Sequence, residues 1–198
     1  MLLQVITGTT RQNRFSELVA AWVVARLEDH SGFDLELVDL RDHTLPFFDA
    51  PAAPARTGRD YDDETVARFG GIIDRADGYL ICTGEYNHGY PAVLKNAMDS
   101  TFVEWRRKPV AFVAWGNVGG ARAVEQLRLV AVEFEMAPLR HAVHVLPEVL
   151  IAIRQSENPD DPDHFAALEP RLTMAADDLA WWMAALAFDH EKGGAVRR

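Results

Sequence analysis

The segment Gly8-Thr9-Thr10-Arg11-Gln12-Asn13-Arg14-Phe15-Ser16 places three hydroxyls, two guanidiniums and a run of backbone amides between an apolar stretch and a helical pattern. The start of a helix exposes unpaired N–H groups at the positive end of its dipole, so a phosphate is the expected occupant. The plainer alternative is an ordinary turn capped by Thr or Ser, which leaves two arginines unexplained where the dipole disfavours positive charge. The spacing fits neither Gly-x-Gly-x-x-Gly nor the Walker A pattern, which argues against a Rossmann dinucleotide site and a nucleotide hydrolase. A second segment, Gly84-Glu85-Tyr86-Asn87-His88-Gly89-Tyr90, joins two aromatics, an amide and an imidazole in a glycine-flanked turn that can enclose a flat heterocycle. A third, Trp115-Gly116-Asn117-Val118-Gly119-Gly120, has glycines that permit close backbone approach to a ligand.

Other chemistry-bearing residues read as structural. Lys95, Asn96 and Asp99 have the spacing of a helix face whose charges pair or face solvent. His141 and His144 fall in an expected strand, where an offset of three directs side chains to opposite faces, so no metal site is expected. Asp160, Asp161 and Asp163 are interrupted by Pro162 and lack the glycine of a calcium loop, leaving turn and cap chemistry. Cys82, the single cysteine, closes an apolar strand and reads as a small buried hydrophobe. No Gly-x-Ser-x-Gly elbow occurs, and no catalytic side chain is assigned.

The elements that must position these loops alternate. Leu2 to Thr7 reads as a buried strand, and helical spacing follows from Phe15 until Ser31-Gly32. Phe33 to Leu40 alternates, with Leu35 and Leu37 opposed to Glu36 and Val38, and reads as a second strand. A Pro-rich connection over Arg41 to Asp60 has the length of a functional loop. Then come a helix over Thr65 to Arg75, weakened by Gly70 and Gly71, a strand over Gly78 to Thr83, and a helix opened by Pro91 and running to Met98. A strand over Pro109 to Trp115, a helix over Gly120 to Glu135, a strand over His141 to Val145 and a last amphipathic helix from Pro170 to Phe188 complete the order. Five strands alternating with five helices predict an α/β fold, a flavodoxin-like doubly wound parallel sheet of order 2-1-3-4-5 with helices on both faces. Ligands of such sheets bind beyond the carboxyl ends of the strands, where the three loops would converge. Residues 1–190 are expected to form one domain and 191–198 a frayed tail.

Composition sets the outer limits. With 20 Lys and Arg against 30 Asp and Glu the formal net charge is −10, which argues against nucleic acid as a partner. A 48% hydrophobic content suits a sizeable core. One cysteine, no signal-peptide pattern and no long apolar run lead to the expectation of a soluble cytoplasmic protein with no membrane partner.

Gly8-Thr-Thr-Arg11…Ser16, Glu85-Tyr-Asn-His-Gly-Tyr-Pro91-Ala-Val-Leu-Lys-Asn-Ala-Met-Asp99 and Gly119-Gly-Ala-Arg-Ala-Val-Glu-Gln-Leu-Arg128 resemble the signature segments of the NADPH-dependent FMN reductase family, over roughly residues 1–145. That resemblance implies FMN as cofactor, NADPH or NADH as co-substrate, and a small acceptor such as a flavin, quinone, chromate or azo compound. It implies hydride transfer by a ping-pong cycle and a homodimer or homotetramer whose nicotinamide pocket a neighbouring chain completes. It puts the FMN phosphate on Thr9, Arg11 and Ser16, with Asn13, Arg14 and Phe15 beside them. Glu85, Tyr86, Asn87 and His88 would border the isoalloxazine, and the amides around Gly116, Gly119 and Gly120 would meet its far edge. Two departures stand out: Gly84 occupies a position where the family commonly has Pro, giving the loop before Glu85 more freedom, and the glycine loop is one residue shorter than the usual pattern. Trp105, Trp181 and Trp182 are the aromatics expected at a subunit interface, the alternative being that they cover the edge of the chain's own core. The alternative readings are a flavodoxin-type electron carrier and a cofactor-free α/β binding domain.

Overall fold

A computed structural model describes residues 1–191, with side chains through residue 187; the tail expected at 191–198 lies, Glu191 apart, outside the described residues. β1 (Leu2–Thr7), β2 (Asp34–Asp39), β3 (Gly78–Gly84), β4 (Pro109–Trp115) and β5 (Ala137–Val145) form one parallel sheet in the order 2-1-3-4-5. This is the flavodoxin-like order expected from the alternation of elements. Every residue of β3 and β4 is buried, which accounts for their continuous apolar runs, since central parallel strands are covered on both faces.

One face carries α1 (Ser16–Leu27), α6 (Pro147–Gln155), a 3₁₀ helix (Pro162–Leu168) and α7 (Glu169–Glu191). Trp22 of α1 stacks on Phe165, with ring centroids 4.8 Å apart. The other face carries α3 (Glu64–Asp74), α4 (Ala92–Asp99) and α5 (Ala121–Glu133), and α2 (Pro54–Thr57) is a single turn within the Pro-rich connection. Asp63 caps α3, accepting from the N–H groups of Thr65 and Val66, and Asp161 caps the 3₁₀ helix by accepting from Asp163 N–H.

Several expectations are corrected. The short helix α2, the helix α6 and the 3₁₀ helix were not expected. β5 begins at Ala137 rather than His141, because Pro138 is tolerated in a strand at the sheet edge. In β2, Val38 is buried on one face and Leu35 packs against the core on the other, while Leu37 is 50% exposed. Trp105 is not at a surface: it is 1% exposed, tilted against Tyr79, and its Nε1–H donates to Thr101 Oγ1 at 2.8 Å. Among the described residues no helix is long and apolar enough to cross a membrane.

Candidate functional site

Because the strands are parallel, the chain leaves β1, β3 and β4 at one edge of the sheet. After β1, Gly8 N–H donates to Cys82 O at 2.8 Å, and a Cβ on Gly8 would lie 2.9 Å from Leu94 Cδ2. The loop therefore starts tight against β3 and α4. Thr9 and Ser16, both buried, share a hydroxyl hydrogen bond of 2.7 Å. The N-terminus of α1 receives no side-chain capping bond, which leaves its first N–H groups available to an anion.

The two arginines of this loop part company. Arg11 is exposed, has its guanidinium 5.9 Å from the centre of the Tyr86 ring, and makes no ion pair among the described residues. Arg14 is buried instead: its Nη1 donates to Thr9 O at 2.5 Å and to Asp39 Oδ1 at 2.7 Å, its Nη2 to Asp39 Oδ2, and its Nε to Glu17 at 3.2 Å. Its donors thus tie the loop to the end of β2 rather than facing a ligand. Hydrogen bonding to Asp39 raises the Arg14 guanidinium above its ordinary value. Burial alone would raise the Asp39 carboxyl, but hydrogen bonds from Arg14 and Arg41 outweigh it and hold that carboxyl below the usual range.

After β3, Gly84 is buried and paired with Trp115, and Glu85 N–H donates to Trp115 O at 2.8 Å. The freedom expected from glycine here is absent. Tyr86 and Gly89 exchange backbone hydrogen bonds, which forces Asn87 (φ 49°) and His88 (φ 78°) into the left-handed region. Tyr86, Asn87 and His88 are exposed, whereas the Glu85 side chain is only 3% exposed and pairs with Arg122. Burial would raise the Glu85 carboxyl, yet the hydrogen bonds and charge of Arg122 hold it below its ordinary value.

After β4, Gly116, Gly119 and Gly120 have φ of 154°, 64° and 71°. A Cβ on Gly120 would lie 2.6 Å from Ala114 Cβ and 2.8 Å from Trp115 N, so only glycine fits. His144 on β5 donates from Nδ1 to Gly119 O at 2.9 Å and thereby supports this loop.

The loops enclose a cleft of about 450 Å³. Thr9, Arg11, Phe15, Glu85, Tyr86 and Gly116 line it among the expected residues, joined by Trp115 and Asn117. Asn13 and Arg14 border a smaller hollow that shares Arg11 and Phe15 with the cleft. Ser16, Asn87, His88, Gly119 and Gly120 are not on the cleft wall. The fourth wall was missed by sequence reasoning: α6 contributes Pro147, Leu150, Ile151 and Arg154. The signal was present in Pro147 followed by Val149, Leu150 and Ile153, a proline-initiated apolar helix.

Residues 1–149 match the NADPH-dependent FMN reductase family. The chain belongs to this family. It is 38% identical over 141 residues to an NAD(P)H-dependent FMN reductase of Schizosaccharomyces pombe, covering 70% of each chain. Against subunit 2 of an NADH-dependent flavin reductase of Lactobacillus johnsonii it is 30% identical over 190 residues, covering 91% of this chain and 94% of that one. In fold it is similar to the flavoenzyme NAD(P)H:(acceptor) oxidoreductase FerB of Paracoccus denitrificans, with a TM-score of 0.67, 21% identity and coverage of 93% and 97%. As a member of the FMN reductase family the protein is an oxidoreductase with FMN as cofactor and NAD(P)H as co-substrate.

The cleft suits that cofactor. Its volume lies within the range of cofactor sites, the uncapped α1 terminus and unpaired Arg11 suit a phosphate, and the glycine loop brings backbone close to the opposite side. Nearby groups are structural. Lys95 donates to Asp99 at 2.6 Å, and Asn96 holds the Pro-rich connection by donating to Pro46 O and accepting from Phe48 N–H. His141 pairs with Asp178 on the far side of β5 from His144, and burial pushes the Cys82 thiol up to about 12. Among the described residues no cluster of His, Cys, Asp and Glu could hold a metal.

Proposed function

We propose that FMN lies in this cleft with its phosphate on Thr9 and Arg11 and at the start of α1, where Ser16 acts from behind through its bond to Thr9, and with its ring between the Glu85–His88 loop and the glycine loop, within one domain spanning residues 1–190. The carrying observation is that three loops drawn from a span of more than a hundred residues of sequence, each suited to one part of FMN, line a single cleft. FMN supplies hydride acceptance from NAD(P)H and delivery to a second substrate. Arg11 and the α1 N–H groups would neutralise the phosphate, Phe15 and Trp115 would exclude water, and backbone donors of the glycine loop would stabilise charge gained at the ring edge. NAD(P)H and a small acceptor, a flavin, quinone, chromate or azo compound, would use one open ring face in turn, giving ping-pong kinetics. Glu85 is held in an ion pair, so the protein's part is binding and orientation rather than acid–base catalysis. We read the protein as a cytoplasmic homo-oligomer; the absence of any disulfide partner for Cys82 and the exposed Phe47, Trp181 and Trp182 support this.

Anaerobic titration of the FMN-loaded protein tests the reading. Stoichiometric bleaching of the flavin band by NADPH or NADH, followed by recovery with a quinone, is expected. An FMN-loaded protein that neither nucleotide bleaches would instead be a flavodoxin-type carrier, and a protein that binds no FMN would overturn the reading altogether.

A further inference from the structure

Arg122 is the second residue of α5, at the helix end where the dipole disfavours a cation. Its guanidinium nevertheless turns toward the loop after β3: Nη2 donates to Glu85 Oε1, Nη1 bonds His88 Nδ1 at 3.2 Å, and its backbone N–H donates to Glu85 Oε2 at 3.2 Å. One turn further along α5, Gln126 Nε2 donates to His88 O at 2.8 Å. Two residues of α5 thus clamp both ends of the four-residue turn that borders the cleft.

The clamp persists despite local conflicts. Arg122 Nε is buried with no hydrogen-bond partner among the described residues, an arrangement that costs desolvation energy. Asn87 and His88 are consecutive non-glycine residues at positive φ. Gly116 supplies the space, since a Cβ there would lie 3.0 Å from Glu85 Cβ. Conflicts gathered at one place mark a functional constraint. The constraint is electrostatic as well as steric. Glu85 lines the cleft with a nearly buried carboxylate, and an uncompensated negative charge beside a bound redox ring would oppose the addition of electrons.

We propose that Arg122 is a positioning residue that fixes the Glu85–His88 turn against the flavin and cancels the charge of Glu85, so that the pair leaves the flavin's midpoint potential free of a penalty from the buried carboxylate. The inference rests on the FMN reading of the cleft. It concerns how this chain's own residues set the affinity and potential of the cofactor.

The test uses full-length protein, with FMN binding by the wild type measured first; a wild type that binds none fails the functional reading, not the clamp. Arg122→Met should weaken FMN binding about tenfold, the order expected when hydrogen bonds to a charged group are lost. Measured at alkaline pH, where Glu85 is ionised, its bound-flavin potential should fall. Glu85→Gln leaves the guanidinium unopposed and should raise the potential. The double variant Glu85→Gln/Arg122→Met should return toward the wild-type value, and Arg122→Lys, which keeps the charge but not the fork, should hold the potential while losing affinity. If Arg122→Met does not load, the rise in Glu85→Gln and the retained potential of Arg122→Lys decide alone. Arg122→Met and Glu85→Gln shifting the potential in the same direction, or Glu85→Gln leaving it unmoved, would overturn the proposal.

Discussion

Gly84 and Trp115 are register partners at the ends of β3 and β4, and a Cβ on Gly84 would lie 3.0 Å from the Trp115 indole Nε1 and 3.1 Å from Tyr86 Cε1. The indole and the Tyr86 ring crowd the volume that a side chain at position 84 would need. Gly84→Ala should therefore displace Trp115 or Tyr86 and destabilise the protein by about 1–3 kcal/mol, the usual cost of overpacking. Urea unfolding reads the loss. Gly84→Ala placed in a Trp115→Ala background should cost less than in the wild type, and equal costs in both backgrounds would show that the indole is not the obstacle.

The phosphate loop gives opposite expectations for its two arginines. Arg11→Ala should weaken FMN by about 1.5–3 kcal/mol, the range for a hydrogen bond to a charged group, with little change in stability. Riboflavin, lacking the phosphate, should bind poorly to the wild type. Equal affinities for FMN and riboflavin would remove Arg11 from the phosphate.

Arg14→Met should instead destabilise the fold by about 3 kcal/mol, the lower end for breaking a buried ion pair, because it leaves Asp39 without its main partner. Asp39 has a depressed carboxyl in the folded state. Its contribution is therefore fully present above the unfolded value of about 3.9 and disappears as pH falls through the lower folded value. Asp39→Asn should flatten the acid side of the stability profile in denaturant titrations; an unchanged acid slope would mean the pair does not stabilise the fold.

Asn87 is exposed at φ 49° in the turn beside the cleft. Asn87→Ala should shift the bound-flavin absorbance or potential while leaving discrimination between FMN and riboflavin intact. Asn87→Gly, which relieves the left-handed strain, separates the effect of the amide from that of the backbone. Wild-type spectra and potentials in both loaded variants would place the turn away from the ring.

Legibility followed sequence distance. The strand order was readable because β3 and β4 are uninterrupted apolar runs, and the site edge followed from the parallel sheet. The glycine loop was readable because positive φ selects for glycine, as at Gly119 and Gly120. The pairing of Arg14 with Asp39 was not readable, because the acid is 25 residues away and only the pairing of β1 with β2 brings them together. Gly70, read as a weakness in α3, also sits in close packing: a Cβ there would lie 3.1 Å from Tyr61 Cε2, whose hydroxyl donates to buried Glu104. Similarly, His144 was dismissed as half of a metal pair. Its true partner is the backbone of Gly119, which no side-chain spacing could reveal.

Assembly is the remaining expectation, and burial of Trp105 moves its anchor elsewhere. Phe47 is 82% exposed and Phe48 41% exposed on the Pro-rich connection, and Asn96 fixes that segment to α4, the helix that follows the Glu85–His88 turn. An apolar segment held in place against solvent suits burial by a second copy, and two-fold pairing would set the same patch against itself. Phe47→Asp should then shift the protein toward a species near the chain mass of 22.1 kDa in sedimentation at micromolar concentration. If a neighbouring chain completes the nicotinamide side and not the phosphate loop, as the family resemblance implies, its KM for NAD(P)H should rise more than its Kd for FMN. A wild-type monomer with full activity would show that one chain builds the whole site, and the Phe47 patch would need another explanation.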